Sequence, residues 1–218
     1  MHNYPRERQC IVEEGSKIMR LTRKKRAQRE QADLEIREAA AQQGMEDLPS
    51  AHLVDFLADS HRRTAEAAFE TLTRRGPSAL EAFIAGLTHA NGKIRAVSAL
   101  LLDHHGDERC AEPLRHALQH DPLEAVRRCA MHALACQNCK VCPLQADIVG
   151  PLIEAAFNDR SLHVRRCAVQ YLVGQKPDRR AIAAAHRLLA SETDAALLLR
   201  ARRMLEWHLL AESATTAA

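Results

Sequence analysis

One pattern recurs five times along this chain and leaves few folds open to it. Its first position holds Thr64, Ile94, Val126, Val164 or Leu197, and four residues on stands a small side chain: Ala68, Ser98, Ala130, Ala168 or Ala201. Four further on stands leucine every time, at Leu72, Leu102, Leu134, Leu172 and Leu205. Steps of four keep side chains on one face of an α-helix. The small residue between two larger ones lets a neighbouring helix approach closely. Five residues before each first position comes Asp59, His89, Asp121, Asp159 or Glu192. In the stretches 120–134 and 158–172 that acid opens a turn that leads into Val-Arg-Arg-Cys-Ala.

Successive first positions are 30, 32, 38 and 33 residues apart, the period of stacked helix pairs. An earlier apolar helix precedes each stretch, at 53–58, 80–87, 111–118, 149–156 and 182–190. Pro77, Pro113 and Pro151 fall where a first helical turn tolerates a missing N–H. Gly106 and Gly174 mark joints between units. The longest step contains Cys136-Gln-Asn-Cys139-Lys-Val-Cys142, which reads as an insertion between helices.

Composition agrees. Hydrophobic residues make up 46% of the 218, enough for a core and too many for wholesale disorder. Eight glycines and eight prolines are too few for an all-β sandwich or barrel, which needs frequent turn punctuation. No apolar run approaches the ~18 residues of a membrane helix, and the first ten residues lack the apolar centre of a secretory signal. The seven cysteines, an odd and unevenly placed set, fit a reducing compartment better than a disulfide framework. The expected location is cytoplasmic, with no membrane partner.

Helix–turn–helix units carrying Asp-x4-Val-Arg-x2-Ala-x3-Leu in the second helix resemble HEAT repeats, in particular the bacterial HEAT-like class that includes phycobilisome lyase-type repeats. The resemblance spans residues 49–210. It implies an all-α, right-handed α-solenoid of about five helix pairs whose second helices line the concave side. The chain then divides into a basic N-terminal tail or helix at 1–48, the repeats at 49–210, and a disordered C-terminal tail at 211–218. The resemblance also implies a ladder between adjacent repeats, formed by Arg95, Arg127 and Arg165 with the preceding acids, of which Asp121 and Asp159 have the matching type. Ala65 and Leu198 replace that arginine in the end units.

Positions two, six and nine after each first position should face the concave side. They include Glu66, Glu70, Arg128, His132, Arg166, Gln170 and Arg203. These suit a protein or peptide read by several units together, and Arg128, Arg166, His132 and Arg203 would suit a carboxylate or phosphate. Against this stands the plain reading of a charged, solvated helix face.

Two other features carry chemistry. The formal charge of +3 comes wholly from the N-terminal segment: residues 1–44 hold 10 basic and 7 acidic side chains, and the rest hold 21 of each. Lys17, Arg20, Arg23, Lys24, Lys25, Arg26 and Arg29 form a run without an acid, suited to nucleic-acid phosphates or to plain solvation. No aromatic interleaves it, so bases have nothing to stack on. The second feature is the cysteine heptapeptide. Thiolates two residues apart can bend round one ion, and His132, a helical turn before Cys136, could complete a zinc site with Cys136, Cys139 and Cys142. An iron–sulfur pattern would need a further cysteine at 145, which is glutamine. A redox disulfide would want a βαβ setting, and the bland alternative is a loop of small apolar thiols. Cys129 and Cys167 share one repeat column and read as core.

For enzymes the sequence offers little. The His-Glu dipeptides of HEAT-type deoxyhypusine hydroxylase are missing, and HEAT-like DNA glycosylases need concave aromatics, where this chain has one tryptophan, Trp207, expected to pack the C-terminal cap. The expectation is a non-catalytic interaction module without a cofactor. Nucleic-acid binding by the basic run, and metal or redox chemistry at the cysteines, are the alternatives, with a HEAT-like lyase or metal-dependent enzyme as the catalytic one.

Overall fold

The computed structural model describes residues 44–139 and 143–216, with side chains to 212. The basic run from Lys17 to Arg29 and the third thiol, Cys142, lie outside the described residues. Among the described residues ten α-helices follow in five antiparallel pairs: α1 (Ser50–Phe56) with α2 (Arg62–Arg75), α3 (Leu80–Gly86) with α4 (Gly92–His105), α5 (Ala111–His120) with α6 (Glu124–Ala135), α7 (Val149–Asn158) with α8 (Leu162–Val173), and α9 (Arg179–Ser191) with α10 (Ala195–Thr216). The same residues contain no strand. First helices pack on first helices (α1 on α3, α5 on α7, α7 on α9), and second helices pack on second helices from α4 through α6 and α8 to α10. The result is a two-layered all-α solenoid.

The recurring columns fill the space between the layers. Ala68, Ser98, Ala130, Ala168 and Ala201 are fully buried, as are Val126, Val164 and Leu197 above them. Leu72, Leu102, Leu134 and Leu172 are buried below, and Leu205 is partly covered at the end of the stack. Close approach explains the small column: a Cβ added at Gly86 of α3 would fall on Ser98 Oγ of α4. Gly76, which ends α2, has φ 52°, a left-handed conformation that favours glycine.

Helix starts follow from short polar side chains. Asn91 accepts from the Lys93 amide, Ser161 from Val164, Asp178 from Arg180, and Asp107 caps a 3-10 turn at Glu108–Cys110. The heptapeptide begins where α6 stops, with Cys136 extended at its C-terminus.

Both ends of the array reach beyond the segments expected from sequence. A 3-10 turn at Met45–Asp47 belongs to the N-terminal cap: Met45 is buried, and Arg75 donates to the Glu46 carbonyl at 2.9 Å. The last helix continues to Thr216, through most of the segment 211–218 expected to be a tail. Arg179 Nε donates to Glu212 at 2.7 Å, tying that extension to α9.

Candidate functional site

The joints between repeats set the electrostatic frame. Arg95 on α4 donates to both oxygens of Asp121 in the next unit, at 2.6 and 3.0 Å, and to its own unit's carbonyls of His89 and Ala90. Arg127 on α6 repeats this with Asp159, at 2.7 and 2.9 Å, and with the Asp121 carbonyl at 3.0 Å. Asp121 also caps its turn by accepting the Leu123 amide. Burial pushes the Asp121 carboxyl up, but Arg95 and that amide together hold it below the usual carboxylate range. The third rung shifts by one residue. Arg166, not Arg165, forks onto Asp194, because the last joint, Glu192-Thr193-Asp194, places its carboxylate two residues later than the column predicts. That fork holds the Asp194 carboxyl down to about 2.

Glu66, Glu70 and His132 are partly covered, and Arg128, Gln170 and Arg203 are exposed, all on the second-helix layer opposite the buried columns. Arg166 is taken up by the ladder. Glu66 pairs with Arg62 one turn away. Among the described residues Arg128 and Arg203 make no ion pair. Of the four side chains suited to a carboxylate or phosphate, Arg166 and also His132, whose Nε2 faces Asp103, are already engaged. Leu100, at the sixth position of its unit on α4, and Leu199, at the second position of its unit on α10, are 42% and 50% exposed, adding apolar groups to that face.

At the C-terminal ends of α4 and α6 four potential donors converge. Asp103 on α4, His132 on α6, and Cys136 and Cys139 in the following loop each offer one ligand atom, and these atoms lie within 4.8 Å of one another. Asp103 Oδ2 is 3.0 Å from His132 Nε2, Cys139 Sγ is 3.5 Å from the same nitrogen, and the two sulfurs are 3.1 Å apart. Asp103 is buried and the other three are partly covered. The other ring nitrogen of His132, Nδ1, is hydrogen-bonded to the Tyr171 hydroxyl on α8. The Cys139 thiol is pushed up to about 12, by its hydrogen bond with Cys136 first, then by Asp103 and burial. Burial, with the thiols and Asp103 nearby, takes Tyr171 to about 12 as well.

Sequence reasoning named three of these four residues and missed Asp103. A signal existed: Asp103 stands nine residues after Ile94, one of the outward positions of the repeat frame. Cys129 and Cys167, read as core, are partly buried against the hydrophobic cluster.

The loop is anchored from the far side. Gln175, buried at the joint after α8, donates to the carbonyls of Ala135 (3.1 Å) and Tyr171 (3.2 Å) and accepts from Gln137 at 3.2 Å. Trp207 donates its indole N–H to the Gln175 carbonyl at 3.0 Å while remaining half exposed. Beside it an open groove of about 450 Å³ runs between residues 143–149 and 175–180. Arg180 crosses it to Asp147 at 2.8 and 2.9 Å, and holds both Asp147 and Asp178 below the usual carboxylate range.

Comparison with known proteins supports the same architecture. Residues 50–135 match the family model described as HEAT repeats. The chain is similar in structure to a chain of the complex of CpcE and CpcF of phycocyanin lyase from Nostoc sp. PCC7120, at 20% identity and TM-score 0.56, over 75% of this chain and 97% of that one. A designed armadillo repeat protein in complex with a (KR)4 peptide shares 16% identity at TM-score 0.47, over 72% of this chain and 81% of that one. No curated protein matches. The chain is thus an all-helical solenoid in which residues 50–135 match HEAT repeats. No described helix is long and apolar enough to cross a membrane.

Proposed function

We propose that this HEAT-repeat chain is a non-catalytic interaction module that binds an extended protein segment along the outward face of its second helices. One observation carries the reading. That face presents different side chains at repeat intervals: Glu70 on α2, Leu100 on α4, Gln170 on α8 and Arg203 on α10 all occupy the sixth position of their units. The ladder of Arg95–Asp121 and Arg127–Asp159 pairs fixes the spacing between units. A stiff row of varied side chains discriminates partners through several weak contacts at once. The CpcE–CpcF complex offers support of a general kind, since a chain of similar fold is found there assembled with another protein.

The face also changes charge along its length. Glu66 and Glu70 stand at the first unit, and Arg128 and Arg203 stand further along. A bound segment would run with basic residues near α2, apolar ones near Leu100 and Leu199, and acidic ones near Arg128 and Arg203. Selection of displayed random 16-residue peptides on the immobilised full chain tests this, with affinities then measured by calorimetry. Enriched peptides should bind at least tenfold more weakly to an Arg128→Glu/Arg203→Glu variant, and equally well to an Arg187→Glu variant of first helix α9. Peptides indifferent to the first pair of changes, or no enrichment at all, would refute the proposal.

A further inference from the structure

We infer that Asp103, His132, Cys136 and Cys139 form a zinc site clasping the inserted loop onto the ends of α4 and α6. This goes beyond the binding face and does not depend on it. Asp103 is far in sequence from the other three donors, yet all four ligand atoms lie within 4.8 Å of one another, close to the span of one small ion. Zinc bonds of about 2.3 Å to sulfur and about 2.0–2.2 Å to nitrogen or oxygen give tetrahedral edges of roughly 3.3–3.8 Å. The separations here are 3.0 Å for oxygen to nitrogen, 3.5 Å for sulfur to nitrogen and 3.1 Å for sulfur to sulfur. Shifts of under about 1 Å would complete the shell. Two sulfurs, an imidazole and one carboxylate oxygen are a mixed soft and borderline set, which suits zinc over calcium or magnesium.

Three further observations point the same way. Tyr171 holds Nδ1 of His132, which turns Nε2 toward Asp103 and Cys139, as the outer partner of a metal-bound histidine does. Asp103 is buried and fixed on a helix, so it presents its carboxylate with little freedom to lose. Asp103 and His132 sit in the last turns of α4 and α6 and Cys136 directly follows α6, so the cluster lies beside two helix C-termini, whose negative dipole ends favour a cation. A tetrahedral ion would also explain the insertion: Cys136 and Cys139 are three residues apart on a loop that the 30- to 33-residue steps lack. A Cys136–Cys139 disulfide is the competing chemistry, and at 3.1 Å the sulfurs are apart, since the bond is about 2.0 Å.

The test uses the full chain, purified reduced and without oxygen, stripped with a chelator, and titrated with zinc against a chromophoric competitor. One equivalent should bind with submicromolar affinity. Cobalt(II) in the same site should show visible bands of four-coordinate geometry and a thiolate-to-cobalt charge-transfer band in the near ultraviolet. Asp103→Asn and Cys139→Ser should each weaken zinc binding by about tenfold or more. Cys142→Ser and Cys167→Ser should leave it within twofold. Cys139→Ser lies in the loop and keeps the test sound should Asp103→Asn unfold the chain. No stoichiometric zinc, a cobalt spectrum without thiolate charge transfer, or affinity lost with Cys142→Ser but kept with Asp103→Asn would each overturn the assignment.

Discussion

Replacing Asp121 with asparagine isolates what the inter-repeat ladder contributes. The Arg95 and Asp121 side chains are 12% and 5% exposed, so water cannot take the place of a lost partner. The substituted amide could keep the Leu123 N–H on its oxygen, but its own NH2 would then face the Arg95 guanidinium, donor against donor. Two charge-assisted hydrogen bonds disappear and a mostly buried cation remains. Breaking a buried pair costs about 3–5 kcal/mol. Arg95 retains the His89 and Ala90 carbonyls, at 3.0 and 3.1 Å, which favours the low end, about 3 kcal/mol. For a chain of this size that corresponds to a fall in Tm of roughly 6–12 °C. The same change at the exposed pair, Glu66→Gln opposite Arg62, should cost at most about 1 kcal/mol. An apolar double variant, Arg95→Met with Asp121→Leu, should recover most of the loss. Acid supplies a second check. Because the Asp121 carboxyl is held below its ordinary value, its contribution is complete above about pH 4 and fades as pH falls through the lower folded value. The gap between wild type and Asp121→Asn should therefore close in acid. Circular dichroism melts across pH 2–7 measure all of this. A penalty under about 0.5 kcal/mol at pH 7, or one that persists below the folded value, would refute the reasoning.

Overpacking tests the small column: Ala130→Leu and Ala168→Leu, both at fully buried positions, should each destabilise by about 1–3 kcal/mol in urea titrations. Gln175→Ala removes both donors from the carbonyls of Ala135 and Tyr171 and should cost about 1–3 kcal/mol by the same assay. Asp194 titrates at about 2, so breaking its fork with Arg166 by Asp194→Asn should matter at neutral pH and cease to matter near pH 2, seen in the pH dependence of the melt. Free zinc at a hundredfold excess over its dissociation constant should raise the unfolding free energy of the reduced chain by about 2.7 kcal/mol, and at the same zinc concentration should raise that of Cys139→Ser by no more than about 1.4 kcal/mol.

The fold was legible because its determinants are periodic. A buried column at steps of four, repeated about every 33 residues, can satisfy itself only by stacking, and each small residue from Ala68 to Ala201 is found buried. The ladder was legible only as far as the joints repeat. Its third rung depends on Glu192-Thr193-Asp194, whose acid stands two residues late, so Arg166 takes the part expected of Arg165. The ends were obscured for another reason. Met45 and the stretch after Leu210 belong to no repeat column, and their order comes from single contacts, such as Glu212 with Arg179, that have no periodic signature.

Three of the four residues of the candidate metal cluster were legible, and the missing one, Asp103, says most about the inserted loop. Spacing displays thiols that are near in sequence, whereas Asp103 is 33 residues from Cys136 and reaches it only because α4 and α6 lie side by side. A loop that merely spaced two repeats would have no need to end against a buried carboxylate and an oriented imidazole. A loop clasped by an ion behaves differently, because its backbone is fixed to two helices rather than to its own flanks. Hydrogen exchange separates the two. Adding one equivalent of zinc to the stripped, reduced chain should slow exchange at residues 136–139 and at the last turns of α4 and α6 by about tenfold or more, following the free energy of local opening. Exchange in α2, which contributes no donor, should not change. Protection spread evenly over all five units would mean that zinc acts on the array as a whole, and equal exchange with and without the metal would leave the loop a spacer.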